Sequence, residues 1–261
     1  MSNIESIYFI DNGPIKGVGY PPIVFLHGFF MDSRSFIKQV EYFKVKHRVI
    51  CIDIRGFGLS ATKGNSYSLY EIINDVITVI EHLKIEKFVL CGVSMGGYIA
   101  MRASLLYKEK ICGMILISTQ AGKDNINVSN EYRRLIDGWD NVEKRMVIVD
   151  SISSIIFGDA CSESVFWKKI WLGYNYDDLS IAMDAMISRD DIQCQLKKIT
   201  IPVLVIHGEH DKGIPKDAGI NMAKKFKYSR TVIIDTASHA INITHPDTLN
   251  NIISFWLKDY F

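Results

Sequence analysis

Short apolar, β-branched runs separated by longer stretches of helical spacing make up most of this chain, and that alternation limits the folds it can adopt. Strand-forming runs fall at residues 4–10, 23–27, 48–52, 87–91, 113–117, 203–207 and 231–234. Several are apolar without interruption, as expected for strands covered on both faces in a parallel sheet. Helical spacing at 33–43, 69–83, 95–107, 216–225 and 246–257 supplies the crossovers that parallel strands need. Within 69–83, Ile72, Ile73, Val76, Val79, Ile80 and Leu83 trace one stripe, with Glu71 and Asp75 off it. Pro246 suits the first turn of the last helix. The expected class is α/β: a mostly parallel central sheet flanked by helices.

The alternation lapses between residues 123 and 196. That stretch lacks clear strands and carries helical patterns rich in Trp139, Trp167, Trp171, Tyr174, Tyr176, Met183 and Met186. It reads as a helical cap inserted into a core formed by residues 1–122 and 197–261. A length of 261 residues, 48% of them hydrophobic, is enough to bury such a core. The formal net charge of +1 gives no counterion-release drive toward nucleic acid and no basic face for anionic lipid. No apolar stretch is long enough to span a bilayer. The cysteines, Cys51, Cys91, Cys112, Cys161 and Cys194, are odd in number and form no CxxC pair. They read as reduced, mostly buried thiols of a cytoplasmic protein, with neither a disulfide framework nor a metal site.

The strongest chemical signal is Gly92-Val93-Ser94-Met95-Gly96-Gly97, after one strand and at the start of a helix. A serine hydroxyl is a poor nucleophile until the backbone aims it outward and a base meets it. A sharp strand-to-helix turn does the aiming, and its crowding demands small residues two positions either side, where Gly92 and Gly96 stand. Developing negative charge on an attacked carbonyl needs donors. The candidates are the backbone N–H of Met95 and that of Phe29, in the loop opened by His27-Gly28 after an earlier strand. His27 itself reads as a strand-end histidine bonded to loop backbone.

Seven histidines compete for the role of base. His47, between Lys46 and Arg48, and His82, beside Glu81, look solvated; His207 ends a strand and reads as structural. His239 lies in a polar loop between the last strand and the last helix, at the sheet edge where α/β proteins place their chemistry. His245 is the local rival, but the neighbouring Pro246 marks it as a helix entry. The orienting acid falls in Gly208-Glu209-His210-Asp211, with Asp211 preferred and Glu209 the alternative.

These pieces, with Asp53-Ile54-Arg55-Gly56-Phe57-Gly58-Leu59-Ser60, resemble the α/β-hydrolase fold superfamily over essentially the whole chain. Within it the chain resembles the group containing small carboxylesterases, enol-lactonases and cofactor-free haloperoxidase-like perhydrolases. It implies a Ser94–His239–Asp211 triad, an oxyanion hole from Phe29 and Met95, a mainly structural role for the Asp53 turn, and no metal or organic cofactor. Phe30 stands where that pattern commonly has proline or a small residue, which weighs against perhydrolysis more than against ester hydrolysis.

The expected reaction is hydrolysis of a carboxylic ester, thioester or lactone of a small apolar substrate through an acyl-enzyme. Phe30, Trp139 and Trp167 are candidates for its pocket, while Arg133-Arg134 and Lys168-Lys169 read as solvated faces. A carbon–carbon bond hydrolase or enol-lactonase would use the same residues, and a ligand receptor could retain them on the same fold.

Overall fold

The computed structural model describes residues 4–15, 19–60, 62, 64–158 and 162–261. Seven strands, β1 (Phe9–Asp11), β2 (Ile23–Leu26), β3 (Val49–Ile52), β4 (Phe88–Val93), β5 (Ile111–Ile117), β6 (Val203–Gly208) and β7 (Ser229–Ile234), form one sheet. Its order is β1-β3-β2-β4-β5-β6-β7. β1 runs antiparallel to β3, and the remaining pairs are parallel.

The period-two pleat divides each apolar strand between two cores. Val24, Leu26, Ile50, Leu90 and Leu116 face one helical layer, which includes α2 (Leu69–His82) and α3 (Met95–Leu106). Phe25, Cys51, Cys91, Ile115 and Ile206 face the other, with α1 (Ile37–Phe43) and α10 (Pro246–Tyr260). Burial pushes the Cys51 thiol well above its ordinary range, so it packs as a small apolar side chain. Cys112 is half-buried and Cys194 exposed, against the expectation of mostly buried thiols. Cys161 lies outside the described residues.

Among the described residues, four α-helices lie between β5 and β6: α4 (Ile126–Asp137), α5 (Val142–Phe157), α6 (Glu163–Trp171) and α7 (Tyr176–Ile187). α8 (Lys216–Ala223) follows β6, and a one-turn α9 (Ile241–Thr244) precedes α10.

Two local expectations need correction. The run 4–10 is not one strand, because Ile7 N–H donates to Ile4 O at 3.1 Å and closes a 3-10 turn. The stretch 33–43 also begins in a 3-10 turn, Ser33–Phe36, capped by Asp32, before α1. Asp75 lies off the apolar stripe of α2 yet is buried, because Arg55 grips it with two bonds of 2.5 and 2.6 Å.

Candidate active site

Ser94 sits on the link between β4 and α3 with φ 52° and ψ −115°, a region that bulky L-residues avoid. Such a conformation costs on the order of 1–3 kcal/mol and persists only where its surroundings fix it. Ser94 N–H bonds Ile117 O at 2.9 Å, and Ser94 O accepts from Gly97 N–H at 2.9 Å and Thr119 Oγ1 at 2.8 Å. The glycines explain themselves by what a side chain would strike: at Gly92 the carbonyl of Gly96, at Gly96 the carbonyl of Leu26.

The loop after β6 brings Asp211 to the same rim. Gly213 N–H and Ile214 N–H donate to Asp211 Oδ1 at 2.8 and 2.9 Å, fixing the plane of the carboxylate. His239, after β7, reaches both carboxylate oxygens with Nδ1 at 2.9 Å. The carboxylate is fully buried and the imidazole 12% exposed. Burial acts to raise the Asp211 carboxyl. The charge of His239, the bonds from His207 and His239 and the Ile214 amide outweigh it, holding the group well below the usual carboxylate range. A contact that orients Nδ1–H toward Asp211 leaves Nε2 as the free acceptor.

His207 contributes a contact that its strand-end position did not reveal. Its buried Nε2 lies 2.8 Å from Ile214 O and 3.1 Å from Asp211 Oδ2. Both partners are acceptors, so Nε2 carries the proton. Its Nδ1 is buried with no partner among the described residues, against Gly219, where an added side chain would collide with the ring.

Other histidines separate by environment. His27 donates from Nδ1 to Gly28 O and accepts Ile54 N–H on Nε2, both at 2.8 Å, so both ring nitrogens are engaged in loop structure. His47 is not solvated: it is buried against Tyr20 and Phe43, and burial lowers its pKa. His82 is exposed. His245 contacts the hydroxyls of Thr236 and Thr244. Glu209, the alternative acid, is paired with Lys216. In the Asp53 turn, Asp53 is buried and accepts Ser33 N–H and Leu59 N–H at 2.7 and 2.8 Å, a structural brace rather than a surface ion pair.

Ser94 and His239 line one cavity of about 370 Å³, together with Phe29 and Phe30. Among the described residues no hydrogen bond joins the Ser94 hydroxyl to the His239 ring. The hydroxyl is a free rotor, and such contacts often tighten only around substrate. The amides of Phe29 and Met95 are engaged by no acceptor among the described residues.

The helices between β5 and β6 supply a further part of the wall, through Leu135 of α4, Ile152 and Ile156 of α5, and Met183 and Met186 of α7. Trp139 and Trp167 do not reach it. Trp139 stacks on Phe30 at 5.5 Å and donates Nε1–H to Tyr174 O at 2.8 Å, while Trp167 packs against Phe166 and under Arg34. The aliphatic wall residues carry a signal the aromatics distracted from: i, i+3 and i+4 spacing on α5 and α7, which a core-facing helix shares. Exposed Glu131 and Lys212 also line the cavity. Arg133 and Lys168 pair instead with Asp184 and Asp150.

Among the described residues no group of three or more His, Cys, Asp or Glu side chains is arranged to hold a metal ion. None of their helices is long and apolar enough to cross a membrane.

A sequence model of the alpha/beta hydrolase fold matches residues 21–246. The chain is 24% identical to 3-oxoadipate enol-lactonase 2 of Acinetobacter baylyi, over 92% of this chain and 90% of that protein. It is 28% identical to a putative non-heme chloroperoxidase of Synechocystis, over 97% and 95% of the two chains. Its structure superposes on a thermophilic esterase from Thermogutta terrifontis with a TM-score of 0.86, 26% identity and coverage of 97% and 93%.

Proposed function

The chain belongs to the α/β hydrolase family of enzymes, and on that premise we propose that it is a serine esterase acting on a small ester with an apolar, uncharged acyl group. The observation that carries the proposal is the His239 imidazole held at 2.9 Å from both oxygens of buried Asp211, on the cavity that also holds Ser94.

In the proposed cycle, Ser94 Oγ attacks the ester carbonyl while His239 Nε2 takes the hydroxyl proton. Asp211 stabilises the imidazolium that forms. The Phe29 and Met95 amides hold the oxyanion. As the tetrahedral intermediate collapses, the carbon–oxygen bond to the alcohol breaks and the imidazolium returns its proton to the leaving oxygen. Water, deprotonated by the same imidazole, then cleaves the acyl-enzyme and frees the acid.

Residues 123–196 act as the cap that selects substrate. Among the described residues no arginine lines the cavity, and the two Asp, Glu, Lys or Arg side chains along it, Glu131 and Lys212, oppose each other in sign. That supports an uncharged acyl group over the carboxylated substrate implied by the name of the enol-lactonase relative. Buried thiols at Cys51 and Cys91 fit a reducing, cytoplasmic setting.

Ser94→Ala is expected to keep the fold and lose nearly all hydrolysis of short-chain p-nitrophenyl esters. Retained activity in a pure preparation would end the assignment. A fluorophosphonate should label the wild type and not the variant. Acylation by an ester without turnover would favour a receptor on the same fold.

A further inference from the structure

The loop bearing the Phe29 amide is built on a backbone that its own sequence disfavours. Met31 N–H bonds Gly28 O at 3.1 Å, closing a four-residue turn in which Phe30 occupies the third position with φ 66°. A left-handed third residue is where such turns take glycine or asparagine, since a Cβ crowds the backbone there. Phenylalanine at this position has no local reason to stay.

The restraint comes from Trp139 and Trp171, both remote in the chain. The indole Nε1–H of Trp171 donates to Phe30 O at 2.7 Å in a buried bond. The Phe30 ring stacks on Trp139 at 5.5 Å and meets Trp171 at 6.0 Å. Trp171 is itself fully buried and stacked on Phe157 at 5.8 Å, so its N–H is delivered from a fixed ring. If Phe30 relaxed to an ordinary φ, its carbonyl would swing from the indole and both would lose a buried partner. The Gly28–Met31 turn would change form, and the Phe29 N–H would move with it.

We propose that Trp171, through its bond to Phe30 O, is a positioning residue that holds the Gly28–Met31 turn in the form that aims the Phe29 amide at the developing oxyanion. The inference rests on the reading of Phe29 as an oxyanion donor. It gives an insertion residue outside the cavity wall an effect on transition-state stabilisation. Only an interaction stronger in the transition state than in the ground state changes the chemical step, so the signature is loss of kcat at constant KM.

Trp171→Phe keeps an aromatic ring against Phe157 and removes the donor, together with part of the indole's volume. For a p-nitrophenyl ester it is expected to lower kcat by ~10-fold or more, part of the effect of deleting an oxyanion donor. KM should stay within about twofold, because ground-state binding does not use the amide. Affinity for a trifluoromethyl ketone, which mimics the tetrahedral oxyanion, should fall by the same factor as kcat. A merely structural role would lower thermal stability without this matched loss. A folded W171F with unchanged kcat and ketone affinity overturns the proposal.

A second comparison, with rates normalised to the protein that a fluorophosphonate labels, serves even if part of a W171F preparation is misfolded. F30G supplies a residue that adopts positive φ without Cβ strain, so F30G/W171F should retain nearly the activity of F30G. A loss on adding W171F to F30G as large as the drop expected for W171F alone would also overturn it. Ser94→Ala separates the levels: activity surviving in that variant removes the serine reading and this proposal with it. An inert S94A beside a W171F of wild-type kcat removes this proposal alone.

Discussion

Replacing Asp211 by asparagine exchanges one oxygen for an NH2 group, and the surrounding donors determine which one. Oδ1 accepts two backbone amides, from Gly213 and Ile214, so the remaining carbonyl oxygen stays there. The NH2 then takes the place of Oδ2, which His239 Nδ1 approaches at 2.9 Å and His207 Nε2 at 3.1 Å. His207 keeps Ile214 O as acceptor. His239 Nδ1 then meets the NH2 donor at Oδ2 and an Oδ1 already bonded by two amides; accepting from the NH2 puts the imidazole proton on Nε2, where it cannot receive the one from Ser94. Loss of the correct tautomer in a triad of this kind lowers kcat by roughly 10⁴, about 5.4 kcal/mol of barrier at 1.36 kcal/mol per tenfold. Initial rates on p-nitrophenyl butyrate, normalised to folded protein, measure it, with Glu209→Gln as control because Glu209 is occupied by Lys216. A D211N rate within tenfold of wild type, or an E209Q loss as deep as that of D211N, would refute the reasoning. The same exchange has a stability signature. The folded Asp211 carboxyl lies below its unfolded value of 3.8, so its contribution is complete above that value and is lost as pH falls through the folded one. The gap in Tm between wild type and D211N should therefore narrow from about pH 5 to about pH 3.

Two further perturbations probe the scaffold and the roof. Gly96→Ala drives a methyl group into the Leu26 carbonyl, so it should destabilise by about 1–3 kcal/mol and cut activity, read by thermal denaturation beside the ester assay. Met183→Trp adds bulk to a cavity of about 370 Å³. It should raise KM for longer p-nitrophenyl esters while the acetate is still turned over, and an unchanged chain-length profile would place the acyl group elsewhere.

The elements that could be read from sequence are those governed by local rules. Uninterrupted apolar runs such as 23–26 and 49–52 can be buried only as two-faced strands, and the structure buries every residue in them. Gly92 is dictated by backbone four residues on and Gly96 by the Leu26 carbonyl of the adjoining strand, but both follow from one sharp strand-to-helix turn, so their spacing carries it. What escaped reading depends on distant partners. His47 looked solvated because charged neighbours flank it, yet Tyr20 and Phe43 cover its ring. Trp139 and Trp167 announced burial without direction, and the structure points both away from the cavity. The His207 contact with Asp211 was hidden because four residues of strand and loop fold back to make it.

One backbone bond links the roof to the chemistry. Ala240 N–H, directly after His239, donates to Ile156 O near the end of α5 at 2.9 Å. Ile156 also faces the cavity. A shift of that helix to admit a bulkier guest therefore pulls on the peptide adjoining the imidazole. In the proposed cycle the His239 imidazole carries the proton, so tailoring the pocket through α5 should retune it as well, and variants with altered substrate range in this helix should be assayed for rate as well as for preference.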